Sequence, residues 1–201
     1  DDIMRQSLHG LAHDIVRERP GMVGLSDDFQ IIDEQAATRI RNGVVQAWLS
    51  GHPGTLDSYI QPEIQDDPDR LEWVTKNKLP NEIQSIANAF IRTAKSHSLT
   101  PDDLETALKQ APEQGKFTLL RMGLDIYKGY QQALAYRGAV DFDDLIRLAY
   151  LTLQRDNEYL ERLQYRWPYI LEDEAQDSSR IQEDILNLLV GIDGNWVRVG
   201  D

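Results

Sequence analysis

Two adjacent carboxylates, Asp173 and Glu174, follow at once on a short apolar run, Tyr169-Ile170-Leu171, and are themselves followed by Gln176 and Asp177. In open α/β sheets, ligands sit at the carboxyl ends of strands. Acidic residues placed there can hold Mg²⁺ through oxygen ligands and waters. A neighbouring Glu can orient and deprotonate a water that attacks a γ-phosphate. Consecutive side chains leave a strand end in different directions, so the pair can divide these tasks. The same residues also read as an acidic turn before a helix, with Asp177 or Ser178 serving only as its N-cap. Residue types alone leave both readings open.

The elements around this run decide where it can stand. Leu8, Leu11, Ala12, Ile15 and Val16 recur at helical spacing until Pro20-Gly21. A short β-like piece, 29–32, comes next. Asp33 is placed to cap a helix whose inner stripe is Ala37, Ile40, Arg41, Val44, Val45 and Trp48. Gly51-His52-Pro53-Gly54 breaks it, and 51–80 reads as irregular, with one apolar patch at Leu71, Trp73 and Val74. Asn81 with Gln84 suggests a capping box for a helix carrying Ile83, Ala87, Phe90 and Ile91. Thr100-Pro101 starts another. A longer helix is predicted from about Lys116 to Arg137. Asp141-Phe142-Asp143-Asp144 opens the next, where acidic residues complement the positive helix end. After the Tyr169–Leu171 strand comes a helix with Ile181, Ile185, Leu188 and Leu189, a turn over 191–194, and a second strand over 196–199. Strand, helix and strand with short joints predict a parallel βαβ unit. The fold class is therefore predominantly α with a partial α/β core: a helical middle, about 26–135, flanked by pieces of a parallel sheet.

Hydrophobic residues make up 41% and charged residues 27% of the 201, enough for a core. No apolar run approaches the ~20 residues of a membrane span, and 1–30 lacks the pattern of a secretory signal. Cysteine is absent, which excludes disulfide frameworks and Cys-based zinc sites and fits a cytoplasmic setting. The net charge of −13 runs against the basic stripe usual in nucleic-acid binders. The acid is uneven, however. Residues 141–177 carry ten carboxylates against four arginines, and 63–72 carry five against one. Acidic segments are also ordinary solvated faces, the better reading for 63–72.

Ile170-Leu171-Glu172-Asp173-Glu174-Ala175-Gln176-Asp177-Ser178 resembles motif II, the Walker B element, of UvrD/Rep-like superfamily 1 DNA helicases. Three weaker matches run in the family's order. Ser7-Leu8-His9-Gly10-Leu11-Ala12 is similar to a Thr-aromatic-His-Ser/Gly segment that opens a helix and touches DNA. Asp141-Phe142-Asp143-Asp144-Leu145 is similar to the Asp-Phe-x-Asp-Leu segment ahead of motif II, and Val199-Gly200-Asp201 to the start of motif III. Glu172 stands where an apolar residue is usual, Ala175 where Phe or Tyr is frequent, and Gln6-Ser7-Leu8 departs from the Thr-aromatic start.

The resemblance implies that 1–25 and 136–201 belong to a RecA-like motor domain, 1A, and that 26–135 is the helical 1B insertion lying along duplex DNA. It implies that Asp173 holds the Mg²⁺ of bound ATP and Glu174 is the catalytic base. Gln176 would couple nucleotide state to the DNA side, with Asp177 and Asp201 supporting the nucleotide site. Ser7 and His9 would contact single-stranded DNA. The parent enzyme would be an ATP-dependent 3′–5′ translocase acting at single-strand/duplex junctions in repair or recombination, among repair-protein partners. The residues themselves add one candidate: Trp73, beside Lys76 and Lys78, could stack on a base. Trp196 is a second, whereas Tyr127 and Tyr130 fall on apolar helical faces and are expected in the core. No Gly-x-x-x-x-Gly-Lys-[Ser/Thr] loop occurs in the 201 residues, so they are expected to show no ATP turnover alone. Two rival readings stay open. One is a metal-dependent phosphodiesterase built on Asp141, Asp143, Asp173, Glu174 and Asp177; the other is a non-catalytic helical interaction module.

Overall fold

A computed structural model describes residues 7–111, 117–192 and 194–201; Gln6, Lys116 and one residue of the 191–194 turn lie outside them. The protein is mostly helical, with a few short parallel strands. It divides into two compact units, one holding the described residues up to Ile32, Lys95–Ser98 and Gly138–Asp201, the other Asp33–Ala94 and Leu99–Arg137.

The first helix, α1 (Leu8–Glu18), starts where the Ser7 hydroxyl accepts the Gly10 N–H at 3.1 Å. It buries Ala12, Ile15 and Val16, and Pro20 ends it. Strand β1 (Gln30–Ile31) belongs to the same unit because Phe29 is buried in its core.

In the second unit, α2 (Glu34–Gly51) is capped by Asp33, which accepts from Ala36 N at 2.7 Å. The stretch expected to be irregular is largely helical: α3 (Pro62–Gln65), then α4 (Pro68–Trp73), a π-helical turn at Val74–Lys78, and α5 (Leu79–Ser96). Asp67 caps α4 with Pro68 at its first position. Asn81 is therefore no cap; it lies inside a continuous helical run, its amide donating to the Asn77 carbonyl at 3.1 Å. Pro80 removes a donor and crowds the carbonyl four residues back. The chain accommodates it by widening to a π turn, closed by Leu79 N to Val74 O, rather than by stopping. Thr100 and Asp103 form a capping box for α6 (Pro101–Gln110). Helix α7 (Thr118–Tyr136) carries the core of this unit, with Met122, Ile126, Tyr127 and Tyr130 at 1% exposure or less. Tyr127 and Tyr130 are thus core residues, as expected.

The chain re-enters the first unit at β2 (Ala139–Val140), which pairs in parallel with β1, Gln30 opposite Ala139. The two units meet along the chain at Ile32/Asp33 and Arg137/Gly138, with Lys95–Ser98 counted in the first. Helix α8 (Phe142–Arg155) is capped by Asp141, and α9 (Asn157–Arg166) by Asp156. Helix α9, whose turns are mainly polar, is not among the helices expected from the sequence. Strand β3 (Tyr169–Glu172), helix α10 (Arg180–Val190) and strand β4 (Asn195–Arg198) complete the expected parallel βαβ unit. One core joins α1, α8, α9 and α10 through residues such as Val16, Leu145, Leu153, Leu163, Ile185 and Leu189. Each such side chain contributes about 1.5–3 kcal/mol when fully buried. Among the described residues no helix is long and apolar enough to cross a membrane.

Candidate nucleotide site at the end of a parallel strand

Strands β3 and β4 run in register, with Ile170 opposite Trp196 and Glu172 opposite Arg198. Alternation puts Tyr169, Leu171 and Val197 on an exposed face, while Ile170 packs against the core shared with α10. Glu172, the last strand residue, is only 8% exposed. Its neighbour Asp173 is the first residue off the strand, so the acid pair stands at the carboxyl end of a parallel strand.

The backbone turns sharply there. Glu174 has φ 55 and ψ 42, the left-handed region. For a residue with a side chain that costs about 1–3 kcal/mol, so the surroundings must impose it. Several bonds do so. Glu174 N–H donates to Asp173 Oδ1 at 3.1 Å, and Asp177 N–H to the Glu174 carbonyl at 2.9 Å. Ala175 N–H donates to the Val199 carbonyl at 2.9 Å, and Val199 N–H to the Glu172 carbonyl at 2.8 Å. A short 3-10 turn, Ala175–Asp177, leads through Ser178 to the N-cap of α10. That cap is Ser179, boxed with Gln182, and neither Asp177 nor Ser178.

Side chains add a second layer. Gln176 Nε2 donates to Glu174 Oε2 at 2.5 Å, so the coupling and base candidates already touch. Gly200 lies against that glutamine: a Cβ there would collide with Gln176 Oε1 and stand 3.1 Å from Ala175 N. A larger residue there would push the glutamine side chain aside and crowd the backbone of the turn. Asp173, Glu174, Asp177 and Asp201 are all exposed. Beneath them, Glu172 Oε1 accepts from the Ser178 hydroxyl at 2.6 Å. Arg198 Nε stands 2.7 Å from Glu172 Oε2, a charge contact without an aligned hydrogen bond. Arg198 Nη2 reaches Glu183 Oε1 at 2.5 Å, and the bond to Glu183 together with the Glu172 charge holds the guanidinium above its ordinary pKa.

One exposed strand-end carboxylate with open solvent beside it suits Mg²⁺, which keeps several waters and takes most remaining ligands from nucleotide phosphates. It does not suit an all-protein cage, and among the described residues no three His, Cys, Asp or Glu side chains converge as one. The carboxylates of the phosphodiesterase reading are not gathered. Asp141 is 5% exposed, caps α8 through Asp144 N at 2.8 Å, and pairs with Lys95 Nζ at 2.5 Å. Asp143 lies exposed in the first turn of α8.

The DNA-contact candidates fall in three places. Ser7 uses its hydroxyl as the α1 cap. His9 is exposed in the first turn of α1, edge-on to Phe142 with ring centres 5.6 Å apart. Trp73 belongs to the helical unit and is 59% exposed, with nearby Lys76 paired to Glu72 at 2.5 Å. Trp196 is half-buried under Arg198, whose guanidinium sits 4.8 Å from its ring. Arg198 and the contacts made by Ser178 and Gly200 are not foreseen from the sequence, where Glu172 reads as a simple departure. The available signal was a pair of opposite charges, each closing one of two adjacent parallel strands.

The chain is 28% identical to DNA helicase II of Haemophilus influenzae over 97% of its length and 22% of that protein's. It is 29% identical to the ATP-dependent DNA helicase PcrA of Leuconostoc citreum over 100% of its length and 22% of the relative's. With the ATP-dependent DNA helicase Rep of Salmonella typhimurium the identity is 28%, covering 99% of this chain and 24% of Rep. The chain thus spans about a quarter or less of these relatives. All of residues 1–201 match the UvrD/REP helicase N-terminal domain, and the chain belongs to that family.

Proposed function

We propose that this chain supplies the Mg²⁺-holding and water-activating part of the ATP site in an ATP-dependent DNA helicase. The observation that carries the reading is the placement of Asp173 and Glu174 directly after a parallel strand, in a turn whose left-handed Glu174 is held by neighbouring bonds. Bound Mg²⁺ and ATP supply charge neutralisation and the γ-phosphoryl group. Asp173 offers one carboxylate to the ion. Glu174 orients the attacking water and takes its proton, worth about 10²–10⁴-fold in rate. Gln176, bonded to Glu174, senses the nucleotide and passes its state toward the DNA side. Asp177 and Asp201 support the nucleotide end of the sheet.

The same reading assigns the helical unit to the 1B insertion along duplex DNA, single-strand contact to Ser7 and His9, and a stacking contact to Trp73. It takes the whole protein to be a cytoplasmic 3′–5′ translocase of repair or recombination, with repair-protein partners. Support comes from the family match over the full chain and from relatives named as ATP-dependent DNA helicases. The test is Glu174→Gln in the full-length protein carrying this chain. DNA-stimulated ATP hydrolysis is expected to fall by at least about 100-fold while nucleotide binding persists. Turnover at the parental rate would overturn the assignment.

A further inference from the structure

We infer that Glu172 and Arg198 act as positioning residues, a clamp between a buried carboxylate and a partly exposed guanidinium that fixes the turn bearing Asp173 and Glu174; the inference rests on the ATP-site reading above. Glu172 is a carboxylate at 8% exposure on the last position of β3, immediately before Asp173. Its two oxygens meet different partners. Oε1 holds the Ser178 hydroxyl, where the chain leaves the turn for α10. Oε2 meets Arg198, the residue opposite in the β3–β4 register. The same guanidinium extends to Glu183 on α10 and lies 3.5 Å from the Ala175 carbonyl, inside the turn. The strand end, the turn and the following helix are thus tied through two side chains.

Stability alone does not account for this arrangement. An ion pair with one partner at the surface contributes little net stability, and a buried carboxylate is often no better for folding than a well-packed apolar residue. An apolar pair would fill the space between β3, β4 and α10 equally well. It could not, however, bond the Ser178 hydroxyl or reach the Ala175 carbonyl. What the charged pair adds is orientation, beneath a residue whose backbone conformation is unfavourable by itself. The pair also explains how Glu172 occupies a position that the family resemblance expects to be apolar.

The experiment has two arms. On the 201-residue chain, amide hydrogen exchange is measured for Arg198→Met, Arg198→Lys and the double variant Glu172→Val/Arg198→Val. Exchange at Ala175, Asp177 and Ser178 is expected to quicken about tenfold in Arg198→Met and in the double variant, with amides of α8 little changed. Arg198→Lys keeps a charge but loses the fork, so its amides should fall between. Because the double variant leaves no buried charge unpaired, turn exchange at the parental rate in that protein would overturn the clamp. Equal acceleration throughout the unit would also overturn it. In the full-length protein, Arg198→Met and the double variant are expected to lower kcat for ATP about 10- to 100-fold, with KM shifted no more than about twofold. Unchanged kcat sinks the inference. Glu174→Gln is run beside them: if it stays active the ATP-site reading fails, while the exchange data still judge the clamp on its own.

Discussion

Removing the ammonium of Lys95 should be among the most damaging single changes in the first unit. Its side chain is 1% exposed and lies 2.5 Å from Asp141 Oδ2 and 2.9 Å from Asp144 Oδ2, themselves 7% and 3% exposed. At an effective dielectric near 20, each attraction is gross about 6 kcal/mol. Desolvation of three charges offsets most of that, several kcal/mol per ion, so the intact triad contributes little net stability. Lys95→Met keeps the stem's bulk but takes the ammonium from Asp141 and leaves Asp144 with the more distant Arg147, whose Nε is 3.9 Å from its Oδ1. The expected loss is about 3–5 kcal/mol, a large share of the roughly 5–15 kcal/mol by which domains are stable. Urea unfolding followed by circular dichroism measures it through the midpoint at constant slope. The companion is a triple variant, Lys95→Met/Asp141→Asn/Asp144→Leu. Asn at 141 retains an acceptor for the α8 cap, now given by Asp141 to Asp144 N. It should recover to within about 1–2 kcal/mol of the parent. A single variant that loses under about 1 kcal/mol, or a triple variant no better than the single, would refute the reasoning.

Two further outcomes concern packing and pH. Gly123 sits against Phe90, where an added Cβ would stand 2.8 Å from Cγ, so Gly123→Ala should destabilise the helical unit by about 1–3 kcal/mol by overpacking, read by thermal unfolding. Asp156 caps α9, and its bond from Tyr159 N, with help from Arg19, holds its carboxyl below the ordinary 3.8. A lowered folded pKa gives stability that is present above 3.8 and lost as pH falls through the folded value. Asp156→Asn should therefore flatten part of the acid limb of a stability-against-pH curve; an unchanged limb would contradict the assignment.

How far the sequence could be read followed the range of the forces involved. Local signals were legible. The Asp33 cap and the helix starts at Thr100-Pro101 and Asp141 each rest on bonds spanning three residues, and the three helices begin where expected. The strand-end acid pair was visible for the same reason: an apolar run and two carboxylates are contiguous. Signals that depend on compensation were not. Pro80 suggested a boundary, but a widened turn absorbed it. Helix α9 offers few apolar positions and is placed by Tyr159 and Leu163 packing into a core built by distant helices. Glu172 looked like a lapse because its partner Arg198 is adjacent only through strand register.

The π turn at Val74–Lys78 has an angular consequence. One residue in a helix corresponds to about 100° of rotation, and a π turn holds one residue more than the α turn it replaces. The direction in which Trp73 projects relative to α5 is therefore dialled by that extra residue rather than by any tertiary contact of the indole, which is 59% exposed. With Pro80→Ala removing the need for the wider turn, deleting Asn77 would rewind the segment and swing the tryptophan by roughly a quarter of a circle, leaving the composition of that surface almost intact while re-aiming its largest aromatic ring.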